Sequence, residues 1–165
     1  MKVRKTKIED IPTLLTIFDY GRQLQYSLGN YYQWNQNYPN EDVLRQDIQS
    51  DISYVCVSTQ DNKEEIIGTF ALQGGSNPIF DLSDPDQWIN QDEYITIQRM
   101  CSNGKEKGTG KKMMTWIQEN CSNVRIYTHE ANKLMLKLCD KTGFVNCGEF
   151  FIPDKTKRIG FQYSK

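Results

Sequence analysis

The segment Lys105-Glu106-Lys107-Gly108-Thr109-Gly110-Lys111-Lys112 constrains this chain more than any other. It follows a run with strand-like alternation, Tyr94 to Met100, and leads straight into a helical stripe of Met113, Met114, Ile117 and Cys121. A compact apolar run, Val124 to Thr128, comes next. The pattern is strand, glycine loop, helix, strand. A backbone shaped that way presents bare N–H groups and a helix N-terminus to an anion, most often a phosphate. A phosphate-bearing ligand is therefore the first functional expectation.

The rest of the chain alternates in the same manner. Val3 to Lys7 reads as a short strand, and Ile11, Leu14, Leu15 and Phe18 fall at helical spacing. Asn40 caps a second helix with Glu41 and Asp42 in its first turn and Val43, Leu44 and Ile48 on its apolar face. Between these helices lies an aromatic, polar loop, Tyr31 to Pro39. Tyr54 to Ser58 and Ile66 to Leu72 flank a polar turn at Asp61-Asn62-Lys63, the signature of a hairpin. Gly74 to Gln91 is rich in Asn, Pro, Asp and Ser and reads as a loop placed to fold over a site. Downstream, Asn132 caps a helix whose apolar face is Leu134, Met135, Leu138 and Cys139, ended by Gly143 at the C′ position. Phe144 to Ile152 and Ile159 to Tyr163 close the chain as two strands around Pro153-Asp154-Lys155.

Composition narrows the function classes. At 165 residues and 38% hydrophobic content, one domain spanning 1–165 is expected. Twenty basic residues against 21 acidic ones give no global field that would recruit nucleic acid or an anionic membrane. The apolar stretches fall far short of the roughly 20 residues needed to span a bilayer, and the N-terminus lacks the apolar core of a signal peptide, so a cytoplasmic protein is expected. The 5 cysteines, Cys56, Cys101, Cys121, Cys139 and Cys147, are scattered without a CxxC spacing, which argues for free thiols over a disulfide framework or a zinc site. With His129 the only histidine, a multi-histidine metal site is impossible and a Ser-His-Asp triad has one possible base.

The glycine loop itself excludes two nucleotide readings. A nucleoside-triphosphatase loop has four residues between its first Gly and a Gly-Lys-Ser/Thr ending. Gly104 to Gly110 encloses five, and Lys112 replaces the hydroxyl residue. A dinucleotide fingerprint needs Gly-x-Gly-x-x-Gly near the start of the sheet, whereas this unit is C-terminal with its spacing reversed. The spacing Lys105-x-x-Gly108-x-Gly110 instead resembles the pyrophosphate loop of the GCN5-related N-acetyltransferases (GNAT), usually Gln/Arg-x-x-Gly-x-Gly/Ala. Asn132-Lys133-Leu134-Met135-Leu136-Lys137-Leu138-Cys139-Asp140-Lys141-Thr142-Gly143-Phe144 resembles that family's second motif, Asn-x-x-Ala-x-x-x-Tyr-x-x-x-Gly-Phe. Gln33-Trp34, Tyr38-Pro39, Asp47-Ile48, Gln98-Arg99-Met100 and the run Arg125 to Asn132 are similar to an uncharacterised bacterial acetyltransferase subgroup. The chain departs from the family pattern at Lys105, at Glu106 where Gly is common, and at Cys139 where Tyr is usual.

The resemblance implies an α/β (α+β) acyl-CoA N-acyltransferase fold: a mixed, mostly antiparallel central sheet, splayed between strands 4 and 5, with helices on both faces. It implies acetyl-CoA as co-substrate and no metal. Lys105, Lys107, Gly108, Thr109, Gly110 and Lys111 would hold the pyrophosphate, and main-chain groups of Met100, Cys101 and Ser102 would hold the pantetheine arm between the two strands. Asn132 would combine helix capping with coenzyme contact. The implied reaction is acetyl transfer to a primary amine of a small molecule, with Cys139 at the general-acid position and water, Tyr127 or Tyr94 as other proton sources. Glu93, Glu130, Glu149 and His129 are candidate bases, and no spacing decides among them. Tyr31, Trp34 and Tyr38, with Tyr32, would wall the acceptor site, where aromatic rings attract a cationic amine. The other reading is a coenzyme A sensor that kept the fold and lost turnover. A monomer or homodimer is expected, with no nucleic-acid or membrane partner.

Overall fold

The computed structural model describes residues 1–32, 34–35, 37–60 and 63–165. Gln33 and Gln36 of the aromatic loop, and Asp61 and Asn62 of the expected hairpin turn, lie outside the described residues. Within them are seven strands: β1 (Lys2–Lys5), β2 (Ser53–Gln60), β3 (Lys63–Gly74), β4 (Ile95–Ser102), β5 (Asn123–His129), β6 (Val145–Phe151) and β7 (Lys157–Ser164). Four α-helices accompany them: α1 (Ile11–Ser27), α2 (Glu41–Gln49), α3 (Thr109–Asn120) and α4 (Lys133–Lys141). The strands hydrogen-bond in the order β1-β2-β3-β4-β5-β7-β6, mostly antiparallel, with β4 parallel to β5. Two compact units are distinguishable: Met1–Leu72 with Gln98–Met113, and Gln73–Ile97 with Met114–Lys165.

In the first unit β1, β2 and β3 form an antiparallel ladder, with Val3 opposite Cys56 and Cys56 opposite Gly68. A 3-10 turn at Ile8–Asp10 leads into α1, and Pro12 sits in the first turn, where a missing N–H breaks no helical bond. The Asp10 carboxylate accepts from Arg4 Nη1 (2.7 Å), Arg4 Nη2 (3.0 Å) and the Lys7 N–H (2.8 Å). Burial alone would raise its pKa, but these donors bring it below the ordinary carboxylate range. Helix α2 starts as the sequence indicates, with Asn40 Oδ1 accepting from the Val43 N–H at 3.0 Å. The helical spacing of Ile11, Leu14, Ile17 and Phe18 turns one face of α1 into a core shared with Leu44, Val55, Val57 and Cys101. Each such aliphatic or aromatic side chain contributes roughly 1.5–3 kcal/mol on burial.

In the second unit β5 pairs with β7 from Asn123 opposite Ser164 to His129 opposite Arg158, and β6 covers the other side of β7. The parallel register of β4 with β5 runs through Ile95 opposite Val124 and Thr96 opposite Arg125, at the start of both strands. The polar stretch after β3 is more ordered than its composition suggests. Two 3-10 turns, Pro78–Leu82 and Pro85–Gln87, carry Phe80 and Trp88 into a core with Cys147 and Phe150. Phe80 meets Trp88 edge-on at 4.9 Å, and Trp88 Nε1 donates to Ser83 Oγ at 2.9 Å, so the indole is buried with its donor satisfied.

Candidate functional site

The glycine loop is built from its own backbone constraints. Asn103 anchors it, with its N–H donating to the Ile67 carbonyl (2.9 Å), its Nδ2 to the Ile66 carbonyl (3.2 Å), and its Oδ1 accepting from the Lys105 N–H (3.0 Å). Gly104 and Gly108 have φ of 73° and 81°, the left-handed region that favours glycine. At Gly104 a Cβ would also lie 2.1 Å from Tyr20 Oη, so α1 seals that corner of the loop. At Gly108 a Cβ would meet nothing within 4 Å, and the loop is open there. The Gly108 carbonyl accepts from the Lys112 N–H at 3.0 Å, which makes the N–H groups of Thr109, Gly110 and Lys111 the ones with no acceptor inside α3. Thr109 is buried and its hydroxyl donates to the Glu106 carbonyl at 2.9 Å, so it offers outward only its main chain.

Charge around the loop is partitioned. Lys105 Nζ pairs with Glu65, and Lys112 Nζ lies 3.4 Å from the Glu106 carboxylate. The Ser58 hydroxyl and Lys112 together hold the Glu106 carboxyl below its ordinary value. Lys107 and Lys111 are exposed, and among the described residues neither has an ion pair. The cations open to an anion at the α3 N-terminus are therefore Lys107 and Lys111, while Lys105 is engaged with a carboxylate.

Met100, Cys101 and Ser102 follow a local irregularity in β4. Arg99 has φ of 49°, a conformation that costs a non-glycine residue on the order of 1–3 kcal/mol and persists only where the surroundings over-determine it. Its guanidinium donates from Nε to Asp47 Oδ2 (2.6 Å), from Nη2 to Asp47 Oδ1 (2.8 Å), and from Nη1 to Tyr38 Oη (3.0 Å) and Gln98 Oε1 (2.5 Å). Burial disfavours the charge, but Tyr38 and Asp47 raise the guanidinium pKa above its ordinary value. Cys101 Sγ donates to the Ile17 carbonyl at 3.4 Å, and a Cβ on Gly21 would lie 2.4 Å from that sulfur. Burial pushes the Cys101 thiol up to about 12.

The aromatic residues of the α1–α2 loop divide into three roles. Trp34 packs edge-on against Phe18, with centroids 5.5 Å apart, and joins the core of the first unit. Tyr38 is held by Arg99. Tyr31 is exposed beside Tyr26 and Tyr32, with centroids at 4.5 and 6.3 Å.

In the second unit Asn132, Cys139 and Phe144 of the second motif are buried, while Leu134, expected on the apolar face of α4, is exposed. Asn132 is buried, its Oδ1 accepting from the Met135 N–H (3.2 Å) and its Nδ2 donating to Thr128 Oγ1 (3.1 Å). His129 Nδ1 accepts from the Ala131 N–H at 3.0 Å, and burial together with the Arg158 charge pulls its pKa below the ordinary value. Cys139 has 0% exposure, and burial pushes its thiol up to about 12. Glu130 and Glu149 both pair with Lys157, at 3.2 and 3.1 Å. The Glu93 carbonyl accepts from Asn123 Nδ2 at 3.2 Å, and Tyr94 Oη accepts from the Asn77 N–H at 3.3 Å. Tyr127 lies edge-on to Phe80 at 5.6 Å. Sequence reasoning missed Asp47 and Arg125 as organising residues. A charged residue inside an apolar run, as in Val124-Arg125-Ile126, was the available signal. Among the described residues no group of three or more His, Cys, Asp or Glu side chains could hold a metal ion, and no helix is long and apolar enough to cross a membrane.

No family model matches the chain, and no curated protein matches it. Solved structures do match. A GNAT-family acetyltransferase from Streptococcus agalactiae superimposes with a TM-score of 0.84 at 20% identity, over 99% of this chain and 95% of that one. This chain has the GNAT acetyltransferase fold. The same architecture recurs in a ribosomal-protein-alanine N-acetyltransferase from Brucella melitensis, at TM-score 0.63 and 13% identity over 100% of both chains. It recurs again in the NatB acetyltransferase complex bound to CoA and MES, at TM-score 0.66 and 12% identity over 98% of this chain and 97% of that one. The GNAT fold accounts for the mixed, mostly antiparallel sheet with a parallel β4–β5 pair.

Proposed function

We propose that this protein is an N-acetyltransferase, a single domain over 1–165, that moves the acetyl group of acetyl-CoA to a primary amine. The observation that carries the reading is the open N-terminus of α3: three N–H groups without helical acceptors, beside the unobstructed face of Gly108. Such a terminus favours a pyrophosphate through both its donors and its dipole. Lys107 and Lys111 supply the screening charge, Gly108 and Gly110 the close approach, and Thr109 its main chain. Lys105 pairs with Glu65 and would contribute on exchanging that carboxylate for the two negative charges of the pyrophosphate. Asn132 serves in this reading first as the cap of α4.

Main-chain N–H groups of Met100, Cys101 and Ser102 would bind the pantetheine arm and polarise the thioester carbonyl, acting where negative charge develops. The amine lone pair attacks the carbonyl carbon, the C–N bond forms, and the C–S bond breaks with its electron pair passing to sulfur. The amine proton leaves to solvent or a base, and the coenzyme thiolate takes a proton. A fully buried thiol raised to about 12 is a weak donor near neutral pH, so in this reading water protonates the thiolate and Cys139 packs the helix.

The favoured acceptor is a small primary amine, met by aromatic side chains of the Tyr31 to Pro39 loop. A peptide N-terminus is the second acceptor class, supported by the ribosomal-protein-alanine N-acetyltransferase from Brucella named above. The setting is the cytoplasm of a bacterium. Thiol release from acetyl-CoA, followed across a panel of small amines and short peptides, tests the proposal. Amine-dependent release supports it, and coenzyme binding without release from any acceptor replaces it with the sensor reading.

A further inference from the structure

The left-handed backbone at Arg99 requires a cause outside its own strand. The backbone on either side gives no relief: Gln98 and Met100 are ordinary strand residues, no glycine relieves the position, and of the side chains beside it in sequence only Gln98 takes a hydrogen bond from Arg99. Four hydrogen bonds fix the guanidinium at its far end, three of them to residues outside β4. Asp47 of α2 takes two, at 2.6 and 2.8 Å, in the bidentate geometry that only arginine can offer a carboxylate. Tyr38, from the loop preceding α2, takes a third at 3.0 Å, and Gln98 a fourth. The Arg99 and Asp47 side chains are each only 9% exposed, so solvent does not compete for the pair.

We infer that Arg99 is a positioning residue, clamped by Asp47 and Tyr38, that sets the aim of the Met100 to Ser102 main chain at the acetyl thioester. The inference rests on the acetyl-CoA reading above and adds what that reading lacks, a device that holds the strand in an unfavourable conformation. It also joins the acceptor loop to the coenzyme strand through one side chain, because Tyr38 belongs to the loop expected to wall the amine. A clamp that served only to hold α2 in place would affect stability and coenzyme affinity together.

Three variants grade the clamp. Tyr38→Phe removes one acceptor, Arg99→Lys keeps the charge and removes the fork, and Asp47→Glu keeps the carboxylate at a different reach. Each is measured for melting temperature, Kd for CoA by calorimetry, kcat with acetyl-CoA and the best amine, and amide hydrogen exchange of Met100 and Cys101 without ligand. CoA shares every contact of acetyl-CoA except those of the acetyl group. The expected result for folded Arg99→Lys is a CoA Kd within about twofold of wild type, a kcat reduced about tenfold or more, and faster exchange at both amides, since misplacing a reacting group by an ångström is that costly. Tyr38→Phe should show the same split at smaller size. Unchanged kcat and unchanged exchange in folded variants overturn the inference alone, as does a loss of CoA affinity that tracks the loss of melting temperature. Wild-type protein that binds neither acetyl-CoA nor CoA overturns the coenzyme reading and this inference with it.

Discussion

The guanidinium of Arg125 lies 4.1 Å from the centre of the Tyr94 ring and 4.3 Å from that of Trp88, with Phe80 at 5.7 Å. It is 3% exposed and donates to the Asn90 carbonyl at 2.7 Å, and among the described residues it has no ion pair. Its Nε is buried without a hydrogen-bond partner. Burial pulls its pKa below the ordinary arginine value. A cation held by ring faces, the Asn90 carbonyl and the Tyr94 side chain ties the Gly74–Gln91 segment to β5.

Attraction to each of the three rings is worth up to about 2 kcal/mol when desolvated, while removing the charge from water costs several kcal/mol. The two nearly cancel, so volume should matter more than charge at this position. Arg125→Met is expected to unfold in urea within about 1 kcal/mol of wild type, whereas Arg125→Ala should lose about 3 kcal/mol by leaving three rings uncovered. Equal losses in the two variants would show that the charge dominates.

Gly104 provides a second test, because two separable penalties meet there. Gly104→Ala places a Cβ 2.1 Å from Tyr20 Oη and forces a left-handed alanine at φ 73°. The backbone penalty alone is roughly 1–2 kcal/mol. Combining it with Tyr20→Ala should recover the steric part and leave the backbone part, a coupling that a double-mutant cycle in urea would read. Strict additivity would mean that Tyr20 does not seal the loop.

Much of this fold was legible locally. The Asn40 cap, the α4 cap at Asn132 and the terminating Gly143 at φ 75° follow from spacing alone, because a cap bonds within three residues of itself. The glycine loop was likewise visible as a contiguous segment, although Gly110 proves to be helical and the Lys105 charge is engaged by Glu65, 40 positions away. The Arg99–Asp47 pair spans 52 positions and carries no periodicity, so no local pattern could announce it. The stretch Gly74 to Gln91 has the composition of a loop, its polar residues outnumbering Phe80 and Trp88, yet those two rings decide where it packs. Strand edges moved by a few residues: β1 occupies Lys2–Lys5 against an expected Val3 to Lys7, and β4 extends to Ser102.

Stability should fall with acid through His129. Burial and the Arg158 charge set its folded pKa below the ordinary 6.5, so between those two values the unfolded chain binds more protons than the native one. Stability contributed by neutral His129 is present above pH 6.5 and lost as pH falls through the folded value. His129→Asn, which keeps an acceptor for the Ala131 N–H, should flatten the urea-measured stability profile over the acid side of that window. A profile in which His129 stabilises the protein more as pH drops would contradict the assignment.

The thiols should rank by burial. Cys56, Cys101 and Cys139 are buried with pKa values pushed up to about 12, whereas Cys121 is only half-buried. A thiol-disulfide reagent near pH 8 is expected to modify Cys121 first in native protein and to reach the other four, Cys147 included, only after unfolding. Cys139→Ala should keep turnover within about twofold while lowering stability by about 1 kcal/mol. A collapse of kcat at unchanged stability would return the proton-donor role to Cys139.

The central claim is that the loop from Lys105 to Lys112 holds the pyrophosphate of coenzyme A, and calorimetric titration of the wild-type protein with acetyl-CoA tests it most directly. Saturable one-to-one binding with Kd between about 1 μM and 1 mM, the usual range for enzyme co-substrates, is the predicted result. Absence of binding heat at millimolar acetyl-CoA, with saturable heat from a nucleoside triphosphate instead, would contradict it.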